Sequence, residues 1–402
     1  MKSTARIISL LVAVTALGIA MAQGTHEHEH DHDHGGAVEG ARLIVSDAQT
    51  NTVRVLDATS GEVVGTFTVP GTTGGSLAVT GSGQYAVVGH RDANRVSVIH
   101  SGLISEDHGD HAHLLHTSPY VVATMNVGRQ PTHLVTVDHR LLVFNDQDGS
   151  IAILDENLFG LSLTYGIVDT VGPDHGAPLL VGDFILSGQP GTEGVDVYEP
   201  DGNLVDSAQG CPGLHGALLV GDTAVFGCRD GVLLAELHGE HFHWHHVPNP
   251  AGSAEGARVA TLYGRIGDIA IGNFGAGIAL VDVSARQIAT IALPGSVLGA
   301  VVTGRRMVAL TSDGSLSLIR VGGDGAAELQ NAITGIIAPE TESGRPGLAA
   351  LGDHVFVTDP VGGAVMTVNL HDNGLEVADS FTVPGSPAGI RVLMLDGDFE
   401  SH

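Results

Sequence analysis

Arg140-Leu141-Leu142-Val143-Phe144-Asn145-Asp146-Gln147-Asp148-Gly149-Ser150-Ile151-Ala152-Ile153-Leu154 is a pair of apolar runs folded about an Asp-Gly turn. The same pattern returns later, where Met307 to Leu310 is followed by Asp313-Gly314 and then by Ser315 to Ile319. Ahead of each pair stands one more apolar run ending in a tight turn. Those turns are Gly81-Ser82-Gly83, Asp138-His139, Gly182-Asp183, Gly221-Asp222, Gly264-Arg265, Gly304-Arg305 and Gly352-Asp353, with a truncated one at Asp396-Gly397. They recur mostly at roughly 40–50 residues, the period of a four-stranded propeller blade, and the longest interval holds the His-rich insertion around His108 to His116. Short apolar runs between such turns suit strands buried between neighbouring sheets.

The two ends of the chain complete the pattern. Arg42 to Val69 holds three strands and lacks a first, while Gly389 to Leu395 is a first strand without successors. Joined, they make one blade and leave the ring no free edge. The expected fold is therefore all-β: a β-propeller of eight blades closed by N- and C-terminal strands, spanning residues 41–397. Seven blades is the alternative, because segments 159–170 and 321–337 read ambiguously. Fifty-seven glycines and an aromatic content of 4% agree with many short strands and tight turns.

An export signal precedes the repeats. Lys2 and Arg6 supply its charge, Ile7 to Ala20 its apolar run and Ala20-Met21-Ala22 its cleavage site. Residues 1–22 are expected to be removed after Ala22, leaving a periplasmic protein with no membrane insertion. An uncleaved anchor helix is the competing reading, but the run is short for one. The formal charge of −28 argues against nucleic acid and anionic lipid as partners and permits cation approach. Cys211 and Cys228 bracket two strand-like runs, Gly216 to Val220 and Thr223 to Gly227, and should pair in an oxidising compartment. A zinc–thiolate site is the rival for them.

Twenty-three histidines are distributed unevenly. In residues 23–40, His26, His28, His30, His32 and His34 alternate with carboxylates, both ligand types for borderline divalent ions such as zinc. That alternation builds no apolar face, so a mobile metal-binding tail is expected rather than packed structure. A purification tag would be uninterrupted histidine, and a solvated polar tail is the remaining bland reading. Within the repeats, His133, His175 and His215 each stand just before an innermost strand, in three consecutive blades. Imidazoles so placed can converge on one ion at the channel mouth; each could instead satisfy its own loop. His108, His111 and His113 lie in an insertion near residues 105–118, between the third and fourth strands of the preceding blade. The insertion offers either a lid on the same ion or a separate site. His90 and Asp92 follow a second strand and are lesser candidates. His238 to His246 reads as an outer strand with His241, His243 and His245 on one face, either a polar edge or an auxiliary metal site. No nucleophile elbow, phosphate loop, dinucleotide fingerprint or His-Glu-x-x-His helix occurs.

Taken together, an export signal, a His-rich mature N-terminus and four motifs resemble the periplasmic zinc metallochaperones. The motifs are His108-Gly109-Asp110-His111-Ala112-His113, Pro131-Thr132-His133, Asp174-His175-Gly176 and Cys211-Pro212-Gly213-Leu214-His215-Gly216. Those proteins accompany a zinc ABC importer and hand the ion to its substrate-binding protein. The resemblance spans nearly the whole mature chain. It implies zinc as cargo, that substrate-binding protein as partner, no catalysis, and His108, His111, His113, His133, His175 and His215 as ligands. Two other readings stand beside it: a metal-dependent periplasmic hydrolase or lactonase, and a scaffold whose histidines only buffer metal. Copper and nickel are further ions that imidazole accepts.

Overall fold

The computed structural model describes residue 38 and residues 40–109, 111–322, 325–338 and 343–397. The export signal and the His26–His34 tail lie outside these residues. Among the described residues thirty-four strands make eight four-stranded antiparallel sheets and one small hairpin, so the chain is an eight-bladed β-propeller. Blade 1 is completed from both ends of the chain. Pro387–Leu393 is innermost, and Arg42–Asp47, Thr52–Asp57 and Val63–Thr68 follow outward. The seam between the ends is an antiparallel ladder pairing Arg42 with Leu393 and Val45 with Ile390, with a register shift between Val45 and Asp47.

Blades 2 to 8 follow in chain order. Most inner hairpins turn at the expected dipeptides. Gly182, Gly221, Gly304 and Gly352 have φ of 58°, 58°, 57° and 55°, the left-handed values that tight two-residue hairpin turns require. One expected turn is displaced. Gly264 and Arg265 lie inside the innermost strand of blade 6, Leu262–Ile266, and the chain reverses before Ile269–Asn273 at Gly267-Asp268, with Gly267 at φ 58°. A register shift between Leu262 and Gly264 accompanies it, and a Cβ on Gly264 would sit 3.2 Å from the Val302 side chain of the next blade. Glycine there serves the crowding of innermost strands.

Second and third strands carry the core. Phe144, Phe226 and Phe356 are fully buried on the second strands of blades 3, 5 and 8. The largest cluster joins blades 4 and 5 through Leu179, Leu186, Val197, Phe226 and Leu233, with the two cysteines inside it. Burying one such side chain contributes on the order of 1.5–3 kcal/mol. The antiparallel order also fixes two faces. Innermost strands begin, and second strands end, at one rim, here called the mouth. Third strands end at the other. Among the described residues no helix is long and apolar enough to cross a membrane.

Candidate metal centre

Three imidazoles meet at the mouth. His133 lies in Pro131–Val137, the innermost strand of blade 3, just past a register shift between Pro131 and His133. Such a bulge re-aims a side chain at a strand end. His175 and His215 occupy the loops entering the innermost strands of blades 4 and 5, Ala177–Val181 and Ala217–Val220. Ring centroids are 4.5 Å apart for His133 and His175, 5.7 Å for His133 and His215, and 5.5 Å for His175 and His215. One nitrogen from each lies within 4.8 Å of the other two.

The other nitrogens set the tautomers. His175 Nδ1 donates to Asp146 Oδ2 at 2.9 Å, and His215 Nδ1 donates to the Ala260 carbonyl at 2.9 Å. Carboxylate and carbonyl oxygens only accept here, so both rings keep an Nε2 lone pair for an ion. His133 Nε2 stands 3.0 Å from His175 Nε2 and supplies the proton between them. A tetrahedral zinc with Zn–N near 2.0–2.1 Å spaces its ligands about 3.4 Å apart, so an ion replaces that proton with little movement. Burial, and then the neighbouring His175 and His215, push His133 down to about 4, opposed by Asp146. His133 therefore favours neutral imidazole, the ligating form.

Asp146 is the residue that the sequence did not single out. It is buried at 8% exposure, and its Oδ2 also accepts from Arg91 Nη2 at 3.1 Å. Arg91 in turn donates to Gln130 Oε1 and Thr132 Oγ1 at 3.0 and 3.1 Å, which ties the chain beside His133 to the same carboxylate. Asp146 closes a second strand, the position from which His90 and Asp92 were read. Those two behave otherwise. His90 is buried with Nε2 on Ser97 Oγ at 3.0 Å, and Asp92 accepts from Thr72.

A covalent staple holds the third loop. Cys211 and Cys228 form a disulfide, both fully buried. His215 N–H donates to Gly227 O, and Arg229 N–H to Pro212 O, so the loop is laced on both sides of the bridge. Gly216, at φ 76°, would place a Cβ 2.5 Å from the Ala260 carbonyl that orients His215. Cys228 Sγ, Asp230 and His246 also fall within 4.8 Å of one another, but the bridge occupies that sulfur.

The insertion is a separate place. Leu103–Asp107 and Ala112–His116 pair as a hairpin between the third and outermost strands of blade 2. The rings of His108, His111 and His113 cluster at 4.7 to 5.2 Å, with His111 Nε2 and His113 Nε2 at 3.1 Å. His108 Nε2 lies 3.6 Å from Glu106 Oε2. This hairpin leaves the rim away from the mouth. A Cβ on Gly40 would meet Leu114, and Arg42 donates to Ser101 O, both at the end of blade 1 opposite Asp47. The six histidines thus form two groups of three, not one.

No family model matches the chain. A curated protein called "Zinc chaperone AztD", from Citrobacter koseri, is 27% identical over 367 residues, 87% of this chain and 85% of its own length. The crystal structure of Citrobacter koseri AztD superposes with a TM-score of 0.79, covering 90% of this chain and 99% of that one. This chain is a relative of AztD. The apo structure of AztD agrees, at TM-score 0.78 and 27% identity over 89% of this chain and 99% of that one. The dihydro-heme d1 dehydrogenase NirN, at TM-score 0.60 and 13% identity over 87% of this chain and 74% of that one, shares the propeller alone. The resemblance read from the motifs and the relationship to AztD coincide.

Proposed function

We propose that this protein is an exported, non-enzymatic zinc carrier that captures the ion in the periplasm and passes it to the substrate-binding protein of a zinc ABC importer. The observation that carries the reading is the convergence of His133, His175 and His215, with two of the three rings oriented through Nδ1. The relationship to a zinc chaperone supports the choice of ion and role. We assign residues 1–22 to a signal cleaved after Ala22 and residues 23–40 to a metal-binding tail. The His108, His111 and His113 group is a second station on the far rim.

Three protein ligands leave a tetrahedral ion one position for an incoming group. A partner's ligand enters there and displaces the imidazoles one at a time, so no step exposes a bare ion. Histidines of residues 26–34 act in the same exchange. The negative charge of the chain draws cations toward it. Asp146 is committed to His175 and Arg91, which makes it a positioning residue rather than an acid or base.

The test is a transfer assay between the zinc-loaded mature chain and a zinc substrate-binding protein, with a metal-specific dye competing for free ion. Transfer faster than spontaneous dissociation into the dye, and slower on deletion of residues 24–36, is the expected result. Transfer no faster than dissociation would reduce the protein to a metal-buffering scaffold.

A further inference from the structure

The outermost strand of blade 5, His241–Pro248, pairs with Gly231–His238 and carries a histidine cluster that the mouth and the insertion do not use. Register places Glu236 opposite His243, His238 opposite His241 and Leu234 opposite His245. Because side chains alternate along a strand, these positions share one face. Glu236 Oε2 lies 3.6 Å from His238 Nε2 and 3.6 Å from His245 Nε2. His243 stacks on His238 with ring centroids 4.6 Å apart. His245 Nε2 is buried and makes no hydrogen bond, a costly state for an imidazole nitrogen.

We propose that Glu236, His238 and His245 form a third divalent-cation site, for zinc or an ion of like chemistry, on the outer wall of blade 5. Zn–N near 2.0–2.1 Å and Zn–O near 2.0–2.2 Å set ligand atoms about 3.4 Å apart in a tetrahedron. Two of the three edges are already close to that length. The third, from His238 to His245, is longer than 4.8 Å and would have to shorten by rotation of the His238 ring, whose side chain is 60% exposed. His243 stands ready as a further ligand. Coordination would also satisfy the orphaned nitrogen of His245.

One contact opposes the ion. Arg286, from blade 6, donates through Nη2 to both oxygens of Glu236 at 3.1 and 3.2 Å. It therefore neutralises the carboxylate and must share it when a cation binds. This makes the site weaker than the mouth and sensitive to Arg286. The site sits on the third and outermost strands of its blade, two to three strand spacings or about 10–14 Å outward from the innermost strand at 4.7–4.9 Å each, so it is independent of the mouth. The proposal does not rest on the zinc-delivery reading.

Trp244, the chain's single tryptophan, lies between His243 and His245 and gives a local signal. Zinc bound by the intact mature chain would be counted by elemental analysis after equilibrium dialysis, and Trp244 emission followed during titration. Glu236→Gln/His245→Asn should lose one equivalent and the zinc-dependent emission change, while His133→Ala/His175→Ala/His215→Ala keeps that change. His238→Ala, at an exposed side chain that cannot endanger folding, should weaken the site at least tenfold, and Arg286→Gln should tighten it several-fold. An unaltered zinc count in the outer-wall variants, or an emission change that follows the mouth histidines, overturns the site.

Discussion

At the scale of single residues, the mouth is decided by which nitrogen each imidazole leaves free. Asp146 fixes the choice for His175, so Asp146→Asn should weaken zinc binding about 10–100-fold with the fold intact, the usual cost of losing such a partner. Calorimetric titration of the purified variant checks this, and an unchanged affinity would remove Asp146 from the account. His90 gives a pH dependence away from the ligands. Burial lowers it to about 4, partly countered by Asp92. The unfolded chain therefore binds a proton below about pH 6.5 that the folded chain refuses. Apo-protein stability should fall as pH drops from 6.5 toward 4. His90→Gln, which retains a partner for Ser97, should flatten part of that slope in thermal melts taken across the range. His133, His175 and His215 were legible in the sequence because topology places every entry to an innermost strand at one rim. Asp146 was not, because carboxylates are plentiful and nothing local marks the one that meets a ring from the next blade.

At the scale of elements, the loop from Cys211 to Gly216 shows how backbone and bridge deliver a ligand. The disulfide closes a separation of 17 residues inside the blade 4–blade 5 core. Chain entropy for a loop of that size gives about 3 kcal/mol. Cys211→Ser/Cys228→Ser should lose on the order of 2–4 kcal/mol in denaturant unfolding and weaken zinc binding by loosening His215. Lost stability with undiminished affinity would show that the bridge serves the core alone. The cysteine pairing was legible from the hairpin that brings its ends together. The turn of blade 6 was misread at Gly264-Arg265, since a glycine beside a charged residue looks alike in a turn and in a crowded inner strand. The insertion had been open to two placements, and only the path of its hairpin away from the mouth separates it from His133.

Across the whole molecule, the ring turns sequence distance into proximity. His133, His175 and His215 stand about one blade period apart and meet because consecutive inner strands start side by side. Eight blades and their closure by Arg42–Asp47 on Pro387–Leu393 were readable from the period and from the two incomplete ends. Convergence to within a metal's reach was not, because it depends on the bulge at His133 and on contacts from neighbouring blades. The proposed mouth site holds one ion between three blades. The measurement that tests it most directly is a zinc titration of the metal-free mature chain beside His133→Ala/His175→Ala/His215→Ala, with folding checked by circular dichroism. The tightest site should disappear from a still-folded variant. Survival of that site at full affinity would contradict it, leaving the tail and the His108–His113 hairpin to hold the ion.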